Sequence, residues 1–171
     1  MKALPRGKAL ALPIAATVLL SVLSPTHAGA STTITASMGV TANVSSTCGV
    51  TALPLAFGIY SPTQATNTTA QTTVVVTCTN GTPYNVGLDA GAGTGATVAT
   101  RKLTAGSNTL NYSLYQDSGY STVWGNTIGT NTETGTGSGL SQTLNVYGSI
   151  TALQAAAAGS YTDSITVSLT Y

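Results

Sequence analysis

The chain has 171 residues, of which 42% are hydrophobic and only 5% are charged, with a formal net charge of +1. So few charges exclude a nucleic-acid partner, which needs a basic face, and leave little repulsion between copies. Thr, Ser, Asn, Gly and Ala predominate, a composition that would suit disorder were the apolar residues not gathered in periodic blocks.

Residues 1–30 read as a secretory signal peptide. Lys2, Arg6 and Lys8 supply a basic start, Ala9 to Leu23 is mostly apolar, and Ala28-Gly29-Ala30 fits the small-x-small cleavage pattern. Cleavage is expected after Ala30, with Ala28 as the alternative. A membrane anchor is disfavoured, because the run carries Pro13 and breaks at Ser24-Pro25, short of the roughly 20 residues a span requires. Removing the segment takes three cations with it. Arg101 and Lys102 then stand against Asp89, Asp117, Glu133 and Asp163, so the exported chain is weakly acidic and of a size for one domain.

From Ser31 the chain alternates. Ile34, Ala36, Met38, Val40, Ala42 and Val44 share one face, and Thr, Ser, Gly and Asn mostly occupy the other, the period of a half-buried strand. Cys48 and Cys78 are the only cysteines. In an oxidising compartment the pair is expected as a disulfide, contributing on the order of 3–4 kcal/mol through loop closure. A metal pair would need further thiol or imidazole ligands, and a redox pair a C-x-x-C spacing.

Strands are expected at 73–78, 84–88, 110–115 and 144–150, where apolar residues run together or alternate. Turn clusters separate them at Asn80-Gly81, 91–95, 105–108, 117–119 and 134–139. Gln154 to Ala158 reads as one helical turn ended by Gly159. Phe57 and Trp124, the only residues of their types, are expected in the core. Short strands with frequent turns indicate an all-β sandwich or barrel.

The final run, Tyr161 to Tyr171, alternates throughout: Tyr161, Ile165, Val167, Leu169 and Tyr171 point one way and Thr162, Ser164, Thr166, Ser168 and Thr170 the other. No turn or returning strand follows it. An apolar-faced strand in that position is central in its sheet or presents an unpaired, adhesive edge. The matching alternation at residues 31–44 suggests what covers such an edge: the same segment of a neighbouring copy.

Motifs for chemistry are weak. The sole histidine, His27, lies in the signal segment, so the exported chain lacks the usual general base and cannot build a histidine-type triad. The four carboxylates are scattered and sit near turns or strand ends. Gly91-Ala-Gly-Thr-Gly-Ala96 matches a dinucleotide pattern without the following helix that phosphate binding requires. The Asn-x-Ser/Thr triplets at 43, 67, 80 and 111 are chance matches in such a composition. Arg101-Lys102 is too small a patch for a polyanion and reads as a strand-end ion pair with Asp89. No enzyme, metal site or small-molecule cofactor is expected.

Taken in order, several motifs resemble the spore coat protein U domain family, which includes subunits of archaic chaperone–usher pili. They are Cys48, Pro54-Leu-Ala-Phe57-Gly58-Ile-Tyr60, Val74-Val-Val-Thr-Cys78, Gly87-Leu-Asp-Ala-Gly91, Arg101, Leu110 to Asp117, Trp124-Gly125, Val146-Tyr-Gly148, and Gly159-Ser-Tyr-Thr-Asp163 with the terminal alternation. The resemblance implies an incomplete immunoglobulin-like β-sandwich lacking its last strand. It implies a periplasmic chaperone that first fills the gap, an outer-membrane usher, and a donor strand from the next subunit. On that reading residues 31–42 are the donor extension, with Ile34, Ala36, Met38 and Val40 as plugs, and 43–171 the domain. Tyr161, Ile165, Val167, Leu169 and Tyr171 form the acceptor edge. The product is a fibre subunit exported through the periplasm to the cell surface. A secreted coat or matrix protein that associates without an usher is the alternative. A carbohydrate-binding module using Trp124 and exposed tyrosines is a further one.

Overall fold

The computed structural model describes residues 29–171, so the expected signal segment lies outside the described residues except for Gly29 and Ala30. The chain divides into a first unit ending at Thr41 and a second unit, Ala42–Tyr171. The described part of the first unit contains no regular structure, and Ile34, Ala36, Met38 and Val40 are all exposed in it.

The second unit holds eight strands and, among the described residues, no helix: β1 (Cys48–Ala52), β2 (Thr68–Cys78), β3 (Pro83–Leu88), β4 (Arg101–Ala105), β5 (Asn108–Tyr115), β6 (Glu133–Thr136), β7 (Ser141–Ile150) and β8 (Val167–Thr170). They form two antiparallel sheets. One has the order β1-β2-β7-β5-β4 and the other β6-β3-β8.

Period two explains both the strands and the core. In β2 the side chains of Val74, Val76 and Cys78 turn inward; Val146 and Ile150 do so in β7, Leu110, Tyr112 and Leu114 in β5, and Tyr84, Val86 and Leu88 in β3. Each such aliphatic side chain contributes about 1.5–3 kcal/mol when buried, before ordering costs. The longest ladder runs from Thr68↔Ile150 to Thr77↔Ser141 and fixes β2 against β7. Cys48 and Cys78 face each other across the β1–β2 ladder and are joined as the expected disulfide. Gly148 is required by packing: a Cβ there would lie 2.6 Å from Leu55 and 2.7 Å from Phe57, which cross the inner face of the five-stranded sheet at that point.

Several expectations need correcting. Arg101 is not half of a strand-end ion pair with Asp89. It opens β4 and is fully buried, and its guanidinium donates to the carbonyl oxygens of Leu88, Asp89, Val98 and Trp124 at 2.7–2.9 Å. Part of the expected turn at 134–139 is strand β6, because Val86↔Glu133 and Tyr84↔Gly135 pair it to β3. No helical turn forms at 154–158. Instead Gln154 makes a non-helical link, its side-chain amide donating to Asn111 O and accepting from Asn111 N, both at 2.8 Å. Trp124 is 1% exposed and its indole N–H donates to Val86 O at 2.8 Å, so it is core and offers no face to a sugar.

The final run is also divided. Thr162 bridges Thr104 of β4 in the first sheet, whereas Val167–Thr170 pairs with β3 in the second. Residues 163–166 carry the chain from one sheet to the other. The alternation survives the crossing: Tyr161, Asp163, Ile165, Val167 and Leu169 are half-buried, and the residues between them are exposed. Tyr171 departs from the expected face and is 60% exposed.

Candidate functional site

The layer beneath the five-stranded sheet is discontinuous. It consists of β6, β3 and β8, then a gap, then the irregular segment that follows β1. Leu53 N–H still donates to Thr73 O, after which the chain leaves β2 and passes under the sheet through Leu55, Phe57 and Tyr60. Phe57 meets Tyr112 edge-on at 5.8 Å between centroids, and the Tyr60 hydroxyl donates to Thr151 O at 3.1 Å. Residues 52–60 therefore form one wall of a groove. The run 156–167 forms the other.

Two cavities occupy the gap. One, of about 850 Å³, lies between Leu55–Tyr60 and Ala156–Tyr161 over Leu103, Leu110 and Ile150. The other, of about 320 Å³, lies between Ala52–Leu55 and Asp163–Val167 over Val74, Leu88, Tyr112, Leu114 and Val146. Leu55 and Leu103 line both, so the cavities are successive parts of one apolar groove whose floor is the protein's own core. Among the described residues β8 pairs only with β3, and its second edge, facing this groove, has no partner strand. Half-buried apolar side chains, among them Leu55, Phe57, Leu103, Tyr161, Ile165 and Val167, line it.

Of the sequence-assigned acceptor residues, Tyr161, Ile165 and Val167 line the groove, Leu169 is half-buried against the core, and Tyr171 is exposed. The sequence reading omitted Asp163, which sits on the same face and lines the smaller cavity. Its parity with Ile165 was the available signal; its charge argued the other way. The wall made by 52–60 was also missed, since it contains no continuous alternation.

Tyr112, Asp163, Asp89 and Arg101 form a bonded polar cluster at this end of the groove. Tyr112 donates its hydroxyl proton to Asp163 Oδ2 at 2.7 Å, and burial, reinforced by that bond, pushes the phenol well above its ordinary pKa. Asp89 Oδ1 accepts from Gly91 N–H at 3.0 Å and Thr166 N–H at 2.9 Å. Burial works to raise the Asp89 pKa, but the bonds from Thr166 and Gly91 and the nearby Arg101 charge outweigh it, holding the carboxyl below the usual range. Burial lowers the Arg101 pKa, with Tyr112, Asp89 and Asp163 opposing; a guanidinium stays protonated all the same. The arrangement offers apolar volume and a free strand edge, which together can bind an extended segment with alternating apolar residues.

The sequence pattern of the Spore Coat Protein U domain matches residues 34–168. No curated protein matches the chain. A similar fold occurs among solved structures in the CsuC–CsuE chaperone–tip adhesion subunit pre-assembly complex from archaic chaperone-usher Csu pili of Acinetobacter baumannii. The TM-score is 0.57 at 20% identity, and the match covers 75% of this chain and 40% of that one. At this identity the likeness is one of fold.

Proposed function

The chain belongs to the Spore Coat Protein U domain family, and from that premise we propose that it is a structural subunit of a cell-surface fibre assembled by donor-strand exchange. On this reading the sandwich is immunoglobulin-like and lacks its last strand. A periplasmic chaperone occupies the groove first, and at an outer-membrane usher residues 31–42 of another subunit replace it. The solved complex of similar fold pairs a chaperone with a pilus subunit, which supports this sequence of partners. The observation that carries the reading is the unpaired edge of β8 beside an apolar groove floored by core residues.

The occupant suits the site. Ile34, Met38 and Val40 are spaced to enter it from one face of an extended segment, and each contributes roughly 1.5–3 kcal/mol on burial as an upper estimate. Pairing along β8 adds main-chain hydrogen bonds.

The test is a chain that completes itself. Residues 31–42 are removed from the N-terminal side and attached after Tyr171 through a short Gly- and Asn-containing turn, so that they run antiparallel to β8. The grafted chain is expected to be a soluble monomer with a higher melting temperature than the parent, and Met38→Asp or Val40→Asp within the graft should remove much of the gain. A graft no more stable than one carrying a scrambled segment of the same composition would sink the proposal.

A further inference from the structure

The crossing from the first sheet to the second is a stretch of groove wall without strand pairing. Between the Thr162 bridge to β4 and the first β8 pair at Val167, residues 163–166 belong to no ladder. They are held by carboxylates instead. Asp163 Oδ1 accepts from Ala92 N–H and Ser164 N–H, both at 2.8 Å, while Oδ2 takes the Tyr112 hydroxyl. Asp89 reaches back in the opposite sense, through Oδ1 to Thr166 N–H, and its own N–H donates to Thr166 O. Gly91, at φ +81°, lets the β3–β4 loop close over Asp163: any Cβ there would collide with the carboxylate.

Asp163 thus joins three parts of the molecule: the loop after β3, the inner face of β5, and the chain entering β8. A strand edge with an empty neighbour tends to fray, because half of its backbone groups lack partners. Resting on the proposal that the groove accepts a donor strand, we propose that Asp163 is the positioning residue of that groove, fixing the lead-in to β8 so that the acceptor edge is formed before the donor arrives. Preorganisation of this kind acts on the rate of capture, since the ordering cost is met in advance.

The test uses the full chain and its Asp163→Ala, Asp163→Asn and Tyr112→Phe variants, with a fluorescent synthetic peptide of residues 31–42 as the probe. Amide hydrogen exchange of the free chain reports the edge, and stopped-flow anisotropy gives association and dissociation rates. Asp163→Ala should lose protection at Ser164 to Leu169 and associate with peptide about tenfold more slowly, with dissociation nearly unchanged. Asp163→Asn should restore most of the rate, because its carbonyl oxygen still accepts from Ala92 and Ser164. Tyr112→Phe, which removes only the Oδ2 bond, should fall between the parent and Asp163→Ala; it decides the matter if Asp163→Ala does not fold. Unchanged exchange and association in the variants, or an effect confined to dissociation, would overturn the role of Asp163 alone. A parent chain that does not take up the peptide would overturn the acceptor reading and this role with it.

Discussion

The two flanks of the smaller sheet treat the same problem in opposite ways. On the β6 side, main-chain bonds carry the ladders on past the strand ends, and one side chain joins the two sheets. Gly137 N–H donates to Thr82 O at 2.7 Å, Gly81 N–H to Gly137 O at 2.8 Å, Gly139 N–H to Cys78 O at 3.0 Å, and the Gln142 side chain reaches from β7 to Thr136 O at 3.1 Å. The β8 side has apolar walls, two cavities and a free edge, and its polar bonds are gathered at the crossing around Asp89 and Asp163. Among the described residues β6 is also an edge strand, paired only with β3, but its flank is tied to β7 by the Gln142 side chain. The other flank borders the apolar groove, and the chain there is held by groups outside regular pairing.

Removing Arg101 should break this arrangement most completely. Arg101→Met fills much of the volume but leaves the carbonyls of Leu88, Asp89, Val98 and Trp124 without their buried donor. At about 1–3 kcal/mol for each orphaned group, the loss should exceed about 4 kcal/mol and give little soluble protein. A chemical-denaturation midpoint close to the parent's would contradict this.

Opening the β1 edge comes next. The double change Cys48→Ala and Cys78→Ala removes the covalent tie at the start of one groove wall and should cost about 3–4 kcal/mol. Amide exchange in β1 should rise more than exchange in β6; equal loosening of both flanks would remove the distinction between them.

A finer comparison sets a closed position against an open one. Val86 is fully buried in β3 and Val167 half-buried in β8. Val86→Ala should cost about 2–3 kcal/mol and Val167→Ala only about 1 kcal/mol in the parent chain. In the chain carrying the grafted strand the Val167 cost should rise toward the Val86 cost, because the groove is then covered. A Val167 penalty that is the same in both chains would mean that the graft lies elsewhere.

The smallest effect is on pH dependence, where the flanks should move in opposite directions. Asp89, on the open flank, has a lowered pKa, so its contribution is complete above the ordinary aspartate value of about 3.9 and is lost as pH falls through the lower folded value. Glu133, in β6, is raised by desolvation. It favours folding below the ordinary glutamate value of about 4.3, and that advantage disappears as pH rises through its higher folded value. Glu133→Gln should therefore melt slightly higher than the parent at neutral pH and lose the difference below about pH 4. Asp89→Asn should melt lower at neutral pH and show a shallower acid decline. Parallel melting curves for both variants from neutral to acid would contradict the assignment.

Period two was enough to place β2, β3, β5 and β7, because each is specified by neighbours in sequence, and two cysteines allow only one pairing. β6 was hidden: Glu133-Thr-Gly-Thr136 has turn-like residues and is a strand only because β3 lies beside it. β4 was hidden by Arg101, since four carbonyls from distant segments make a buried guanidinium tolerable, and no local pattern announces them. The sequence made 161–171 one strand, whereas the tertiary structure divided it between two sheets, placed Asp163 on the inner face and turned Tyr171 outward. Alternation records which way side chains point; which backbone lies alongside, and whether any does, depends on the packing of segments far apart in the chain.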